Sequence, residues 1–482
     1  MPTIRTPRLD RGLIVLAAAL IVGAVAVLLD STIVSVALDA IARDLGASEA
    51  AVPWISTAYL LSLALVTPLV GWAADRFGAR SMWMFALTVF LVGSVLCAAA
   101  WSVETLIAFR ALKGIGGGMV LPLCQAILAR AAGPERFGRV MSLVSLPGLL
   151  APVMGPVLGG TLADTLGWRW IFLVNVPICL FALVLAWRYL PRTEPGRDPS
   201  LDLVGALLLP PGLAALICGF SRLHSPQSLT EPLTVTLLLT GAALVAAFCV
   251  HALRTSDPLL DLRLFAIRSF AASCLLTFLQ GLAVYGSLLL LPLFYARVRG
   301  YDAGAIGWLL APQGLGTMLG VLLAGTLADR YGSRRLVLSG TAVSMLGTLV
   351  FTQLDRDPGD LLLGSALFVR GLGLGALGVA IVTGAYRDIG AESIARATGT
   401  ISVVQRLGAS FGTAVTAVIL AAQLTGTSAA SAPAHTAGAY ANTFWWVLAF
   451  MLATLVPAVM LPRARPAEAP GPVPAEPQES AR

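Results

Sequence analysis

Runs of about 20 apolar residues follow one another along nearly the whole chain, and they constrain its fold more than any other feature. A run of this length crosses the hydrocarbon core of a bilayer as a helix, because a helix satisfies its own backbone hydrogen bonds in lipid. Only 12% of the 482 residues are charged, about half the share that is usual in a soluble domain. The pattern therefore predicts an all-α membrane protein.

Fourteen such runs can be counted, and the loops between them are short. We find neither a P-loop nor a nucleophile motif, and no segment has room for a soluble catalytic domain, so we expect no enzyme. The six cysteines fall inside apolar runs and the three histidines show no ligand spacing, so we expect no metal and no cofactor. The predicted spans lie at about 13–37, 52–74, 81–101, 105–130, 140–164, 170–190, 201–220, 232–252, 270–295, 303–327, 334–353, 361–384, 397–421 and 442–461.

Lys and Arg in the loops predict the orientation. When the N-terminus is placed in the cytoplasm, the cytoplasmic segments hold roughly four times as many of these residues as the external loops, as the positive-inside rule requires. The first run is too long for a signal peptide. We therefore expect a multi-pass protein of the bacterial cytoplasmic membrane, with both termini in the cytoplasm. The net charge of +7 lies in short loops rather than on one soluble face, so we expect no nucleic-acid partner.

The chain also repeats itself. Residues 71–80 and 325–334 both read G-x-x-A-D-R-aromatic-G-x-R, and the glycine-rich runs 113–118 and 370–375 form a second repeated pair. Repeated halves with a cavity between them are typical of transporters. Topology control would explain the loop arginines but not the repeated Asp and Gly, so we interpret the two loops as a conformational latch. The latch residues are Gly71, Asp75, Arg76, Gly78, Arg80, Gly325, Asp329, Arg330, Gly332 and Arg334.

The repeat predicts the domain organisation. A cytoplasmic N-terminus precedes the first six-helix bundle, and a linker with two extra spans separates it from the second, which is followed by a Pro-, Ala- and Glu-rich tail that we expect to be disordered. In order, these segments are 1–12, 13–190, 191–268, 269–462 and 463–482.

Four further motifs, at residues 29–38, 110–116, 148–160 and 168–177, complete a resemblance to a known family. Together with the two loops they resemble the major facilitator superfamily and, within it, the fourteen-span drug:proton antiporters. The resemblance implies the major facilitator fold and proton-driven export of a small hydrophobic drug or natural product by alternating access. A symporter or facilitator that imports a small solute is the alternative.

One of these motifs lies in the fifth span and marks antiporters in the resembling family, although its small residues are also consistent with a generic packing face. Its residues are Gly148, Pro152, Gly155, Pro156, Gly159 and Gly160.

Asp30 is the one acid well inside a predicted span. A buried carboxylate in lipid is costly unless it is paired, so such a residue indicates function by default, although a helix-packing role is the alternative. Arg110 lies at a similar depth in the fourth span. We predict that deprotonated Asp30 pairs with Arg110 and that protonation breaks this pair and biases the conformational equilibrium.

Lys113 stands where the resembling sequences usually have Gln, one helical turn from Arg110. We interpret it as a cavity cation that disfavours cationic drugs and favours neutral or anionic ones, with a snorkelling lysine as the alternative. Arg370 and Arg406 are the other basic residues within spans. Further candidates for the substrate cavity, each also consistent with packing, are Trp54, Tyr59, Gln125, Gln280, Tyr285 and Gln313. We expect a monomer whose partners are protons, the substrate and the lipid bilayer.

Overall fold

The computed structural model describes residues 10–48, 51–191, 201–223, 226–301, 303–390, 393–424 and 433–461. These residues form helices and connecting turns, and they contain no strand. The α-helices are α1 Arg11–Leu45, α2 Val52–Val66, α3 Val70–Phe77, α4 Ala79–Ala98, α5 Val103–Thr165, α6 Trp170–Leu173, α7 Asn175–Tyr189, α8 Leu203–Ser221, α9 Pro232–Arg254, α10 Arg268–Arg297, α11 Ala303–Leu349, α12 Asp360–Tyr386, α13 Ile394–Leu424, α14 Pro433–Ala453 and α15 Leu455–Met460. Short 3-10 segments occupy Thr67–Leu69, Pro226–Thr230, Leu262–Ala266 and Val350–Arg356.

Thirteen helical segments of the described chain are long and apolar enough to cross a membrane. The predicted span absent from this set, 140–164, overlaps residues 133–154, whose side chains lie outside the described part. The tail 463–482 also lies outside it, as do residues 1–9. The prediction of an all-α membrane fold is confirmed.

Helix α5 holds two predicted spans, and its contacts show that it folds back on itself. Arg110 near its start bonds to Asp30 of α1. Gly155 near its end abuts Thr32, two residues further along α1. A straight helix from residue 110 to residue 155 would be about 67 Å long. The chain must therefore reverse direction between these contacts, as two antiparallel spans require.

The two repeated loops turn at the same glycine of their motif. Gly78 separates α3 from α4 with φ 83° and ψ 138°, and Gly332 interrupts α11 with φ 77° and ψ 158°. A residue with a Cβ is disfavoured at these positive φ values, which explains the glycine in both loops. The repeated sequence therefore encodes a repeated backbone conformation.

Two ends of the helix bundle can be defined from these turns. The Gly78 end carries the repeated loops, and the Gly46 end lies at the other end of α1, where Gly46 caps that helix with φ 59°. The hydrophobic cluster nearest the Gly78 end in the first half also takes in Val382, Tyr386 and Ile394 of the second half. Val403 of α13 joins a further cluster that includes Leu69 and Trp72. The two halves therefore pack together at the Gly78 end.

The Gly46 end is different. There the first half has a cluster built from residues between Ile33 and Val174, and the second half has one built from residues between Ala283 and Met451. Among the described residues, neither cluster includes a residue of the other half. Among the described residues, hydrophobic clusters therefore join the two halves at the Gly78 end and not at the Gly46 end.

The two extra spans, α8 and α9, form a pair. Contacts of Asp202 hold them together at the start of α8. Asp202 caps α8 by accepting a hydrogen bond from the Gly205 N–H at 2.8 Å, and its Oδ1 lies 2.7 Å from His251 Nε2 of α9. Burial raises the pKa of the Asp202 carboxyl, but hydrogen bonds from Gly205, His251 and Leu259 outweigh burial, and the net pKa is lowered. This Asp202 clasp holds the pair and the following segment in register.

Candidate functional site

The centre of the candidate site is Asp30, whose side chain is fully buried between α1 and α5. Its Oδ2 accepts a hydrogen bond from Arg110 Nη1 at 2.6 Å, and its Oδ1 accepts one from Lys113 Nζ at 2.5 Å. Arg110 and Lys113 share one face of α5 because they are three residues apart on a helix. The contact that the sequence predicted between Asp30 and Arg110 is present, and its role in coupling stays a prediction.

Arg110 is held in place by α2 as well. Its Nε donates to the backbone oxygen of Ile55 at 3.1 Å, and its guanidinium lies 4.1 Å from the centroid of the Tyr59 ring. Tyr59, predicted to line the cavity, is only 1% exposed, and its ring packs against this guanidinium. A planar cation on an aromatic face is stabilised by the ring quadrupole.

Lys113 differs from its prediction. It does not line an open cavity, because its side chain is fully buried and its ammonium is committed to Asp30. The rings of Phe90 and Phe172 lie 4.6 Å and 5.1 Å from Nζ and close it off from solvent. The Lys113 ammonium lies against the carboxylate because burying an unpaired ammonium in this apolar setting costs far more free energy than burying a paired one.

Asn175 belongs to the same cluster and was missed as a site residue. With its amide oriented so that both ends are satisfied, it accepts from Lys113 Nζ at 3.2 Å and donates to the Ala26 carbonyl at 3.2 Å. Asn175 is 1% exposed. Its position in the motif 168–177 was the available signal, but the motif does not indicate which helix Asn175 faces.

The beginning of the same motif fastens the Gly46 end. Trp168 Nε1 donates to Asp44 at 2.9 Å, and Arg169 Nη1 donates to the same carboxylate oxygen at 2.8 Å. These two hydrogen bonds lower the pKa of the Asp44 carboxyl, and the bond from Trp168 has the larger effect. These bonds join the end of α1 to the loop before α6.

Glycines bring the helices around the cluster close enough to make these contacts. A Cβ on Gly114 would meet the Tyr59 carbonyl at 2.5 Å, and one on Gly116 would meet the Ala86 carbonyl at 2.5 Å. Real Cβ atoms do not approach backbone so closely, so any side chain there would push α2 or α4 away. The glycine run of α5 is thus a packing surface beside the charges.

The predicted antiporter motif packs against α1. A Cβ on Gly155 would collide with Thr32, and a Cβ on Gly159 would lie 2.6 Å from the Ile33 carbonyl. Both contacts fall immediately beyond Asp30 on α1. Gly160 is partly buried, and the surroundings of Gly148, Pro152 and Pro156 lie outside the described part of the structure.

The second half has a buried cation at the repeat position of Lys113, and no acid among the described residues lies beside it. Arg370 is 1% exposed, and its Nη1 donates to Gln313 Oε1 at 2.7 Å. Its Nε has no hydrogen-bond partner among the described residues. Gln313, predicted as a cavity residue, is therefore a partner of Arg370.

The remaining candidates for the cavity are scattered. Trp54 lies in the first turn of α2 and is 50% exposed, so it occupies a membrane-interface position rather than the interior. Tyr285 of α10 is 39% exposed. Gln125 and Gln280 are partly buried, and the Gln280 amide nitrogen lies 3.7 Å from where a Cβ on Gly378 would be.

The latch residues of the first loop make two kinds of contact. Asp75 pairs with Arg130 at the end of α5's first span, at 3.0 Å. Arg80 donates to the carbonyls of Trp187 and Leu190 at 2.6 Å and 3.0 Å. Gly71 is buried, and Arg76 and Arg334 are partly buried. The side chains of Gly325, Asp329 and Arg330 in the second loop lie outside the described residues.

Arg406 of α13 was not selected as a site residue from the sequence, although it was one of only four basic residues within spans. It is partly buried and lies near Tyr59 of the first half and Tyr285 of the second. It lies about 18 Å along α13 from Ile394. Its neighbours Val403 and Leu407 belong to the cluster that contains Leu69 and Trp72, at the Gly78 end. Arg406 thus lies near residues of both halves, one helical turn from the cluster that joins them.

Comparison with known proteins agrees with this architecture. The profile of the Major Facilitator Superfamily matches residues 20–413 and again 273–482. The Multidrug resistance protein B homolog of Mycobacterium tuberculosis is 39% identical, with 95% of this chain and 91% of the relative covered. The Multidrug export protein EmrB of Haemophilus influenzae is 31% identical, with 84% and 80% covered.

A solved structure shows the same fold. The crystal structure of the human organic anion transporter MFSD10 superposes with a TM-score of 0.65 at 18% identity and covers 94% of this chain and 100% of that chain. The two bundles, the repeated turns and the family match agree with one another. The chain is a multi-pass membrane transporter that belongs to the Major Facilitator Superfamily, in the drug:proton antiporter family that its motifs resemble.

Proposed function

We propose that this protein is a proton-coupled antiporter that exports small hydrophobic compounds across the bacterial cytoplasmic membrane. The observation that carries the proposal is the fully buried Asp30 carboxylate between Arg110 and Lys113. The names of the relatives, multidrug resistance and multidrug export proteins of bacteria, support export as the direction and drugs as the cargo.

The cluster couples protonation to structure through charge balance. In this conformation one carboxylate compensates two cations that no water reaches. A proton on Asp30 would leave both cations without a counter-charge in an apolar setting, which costs several kcal/mol. That cost favours a different arrangement of α1 against α5. Gly155 and Gly159 pack on α1 next to Asp30, so a shift of α1 is passed directly to the second span of α5.

The two halves then exchange which end is closed. The contacts of Trp72 and Leu69 with Val403 close the Gly78 end in this conformation. Release of those contacts, together with closure of the Gly46 end, would present the cavity to the other side of the membrane. The Asp75–Arg130 pair lies at the end that must open and would be remade or broken in each cycle.

The test uses everted membrane vesicles that contain the full chain, an imposed pH gradient and a fluorescent pH indicator. Addition of an exported hydrophobic compound should dissipate the gradient, and Asp30→Asn should abolish this dissipation in vesicles that carry the same amount of folded protein. Asp44→Asn makes the same chemical change at a position that is 48% exposed, so it serves as the matched control.

The vesicle assay also separates antiport from symport. Antiport releases protons from the vesicle as the compound enters, whereas symport moves both in the same direction. Undiminished pH-driven transport by Asp30→Asn would remove this carboxylate from the coupling mechanism. Proton movement in the same direction as the compound would refute antiport.

A further inference from the structure

Away from the helix ends, the described membrane interior holds one carboxylate and four basic side chains. Asp30 is the carboxylate, and Arg110 and Lys113 are already paired with it. The other two, Arg370 and Arg406, have no acidic partner among the described residues. The interior is therefore electropositive whether or not Asp30 carries a proton.

The two unpaired arginines are not equivalent. Arg370 is 1% exposed and is enclosed within the second bundle, where Gln313 accepts one of its hydrogen bonds. Arg406 retains accessible surface although it lies deep in the bundle. It forms no hydrogen bond or ion pair with any described residue, and Tyr59 and Tyr285, one from each half, lie near it. A guanidinium in that position is partly accessible and lies between residues of the two halves.

We propose that the substrates are hydrophobic carboxylates or similarly delocalised organic anions, bound with their charged group at Arg406. This inference names the substrate class of the antiporter proposed above and rests on that function. A guanidinium binds a carboxylate through two parallel hydrogen bonds, a geometry that an ammonium or an amide on the substrate cannot use.

The surroundings of Arg406 suit an anion with an aromatic body. Tyr285 exposes 39% of its side chain, and on the same two helices Phe278 of α10 stacks on Phe411 of α13, which Phe220 of α8 meets edge-on. Such rings contact apolar groups well. An organic cation would find no free carboxylate in the described membrane interior away from the helix ends, because the Asp30 side chain is fully buried and paired with two cations already.

The position of Arg406 also connects binding to the closed end. Val403 is one turn before Arg406 on α13 and packs with Leu69 and Trp72. An anion at Arg406 would neutralise the charge directly above this closure. The bound anion would thereby remove an electrostatic penalty for bringing the two halves together around it.

The test compares three probes that share one naphthalene body: 1-naphthylacetate, 1-naphthylacetamide and 1-naphthylmethylammonium. Equilibrium binding of each radiolabelled probe to the purified full chain in lipid nanodiscs needs no proton gradient. The acetate should bind about tenfold or more tighter than the amide, and the ammonium should bind weakest. This comparison on the unaltered protein does not depend on any variant folding correctly.

Variants then assign the preference to one residue. Arg406→Gln should bring the acetate down to the affinity of the amide, and Arg406→Lys should keep part of the preference. Arg356→Gln, in a segment at the Gly46 end where that guanidinium bonds Gln353, should leave all three affinities unchanged. Arg370→Gln should lower acetate affinity less than Arg406→Gln does. Arg370 does not contact the bound anion in this proposal and attracts it only through long-range electrostatics.

The inference is overturned if the ammonium binds best, if the three probes bind alike or not at all, or if Arg406→Gln leaves the acetate-to-amide ratio intact. Its failure is distinguishable from failure of the proposed function. A carboxylate preference without pH-driven transport would refute the antiporter alone, whereas pH-driven transport of the ammonium with no carboxylate preference would refute this inference alone.

Discussion

The charge balance around Asp30 makes a strong prediction about stability. Asp30→Asn removes the one carboxylate and keeps its shape, so Arg110 and Lys113 lose their counter-charge while both remain fully or almost fully buried. Removal of one partner from a buried ion pair costs about 3–5 kcal/mol, because the remaining charge stays desolvated. We expect a loss of that size for Asp30→Asn.

Lys113→Met, in contrast to Asp30→Asn, should change the stability little. The carboxylate keeps Arg110 at 2.6 Å, so the charges then balance one to one. The methionine side chain has nearly the length of lysine and would lie against Phe90 and Phe172, whose faces suit a thioether. We expect a change within about 1.5 kcal/mol, because replacing a buried charge by a well-packed apolar group is often neutral or stabilising.

The double variant separates charge from shape. Asp30→Asn combined with Lys113→Met leaves one orphaned cation instead of two, so it should be about 1–3 kcal/mol more stable than the sum of the single effects. The chain supplies its own reporter, since Cys97, Cys124 and Cys179 are buried free thiols. A thiol-reactive fluorescent dye on purified protein in detergent, heated at one fixed rate, reports the order of unfolding midpoints.

The expected order places Lys113→Met beside the unaltered protein, the double variant lower and Asp30→Asn lowest. An Asp30→Asn variant as stable as the unaltered protein, or a double variant less stable than Asp30→Asn alone, would refute the reasoning. Either result would mean that the two cations are compensated by something other than this carboxylate.

Three further predictions concern the scaffold. The first two are measured by the same thermal dye assay, and the third by intrinsic tryptophan fluorescence, because a thiol does not react with the dye at acid pH. Gly78→Ala and Gly332→Ala should each cost about 1–2 kcal/mol, because φ is 83° and 77° at these turns, whereas Gly359→Ala, with φ −63° and open space around it, should be nearly neutral; equal midpoints for the three would contradict the turn argument. Gly155→Ala should cost about 1–3 kcal/mol and lower transport, because the new methyl group collides with Thr32, and Gly307→Ala, with nothing within 4 Å, is its control. The hydrogen bonds that lower the pKa of Asp202 stabilise the fold above the carboxyl's unfolded value near pH 4, and this stabilisation should fade as the pH falls below it; Asp202→Asn should flatten that acid limb, and an unchanged acid limb would argue against the clasp.

The sequence was sufficient for the parts of the molecule that have a period or a repeat. Apolar runs of spanning length placed the helices because lipid leaves the backbone no alternative. The repeat of Gly78 and Gly332 could be recognised in the sequence, and the structure adds that both glycines adopt a similar positive φ. The pairing of Asp30 with Arg110 followed from matching depths in antiparallel spans.

What the sequence left open concerns direction around the helix axis. Depth follows from residue number, but the side to which Lys113 turns depends on which helices pack beside α5. Lys113 was therefore assigned to the cavity, although Phe90, Phe172 and Asn175 enclose it. Arg406 was overlooked for the related reason that no motif surrounds it, and only the packing of α13 shows that it faces both halves.

The excess of cations inside the bundle has an electrical consequence. If a monoanion leaves the cell while one proton enters, two elementary charges cross the membrane in the same sense in every turnover. A potential of 100 mV, negative inside, contributes about 2.3 kcal/mol for each charge and so about 4.6 kcal/mol per cycle. An exporter that exchanged a monocation for one proton would move no net charge and would not respond to voltage. The charge of its cargo would therefore decide whether this transporter is driven by the pH difference alone or by the whole electrochemical gradient.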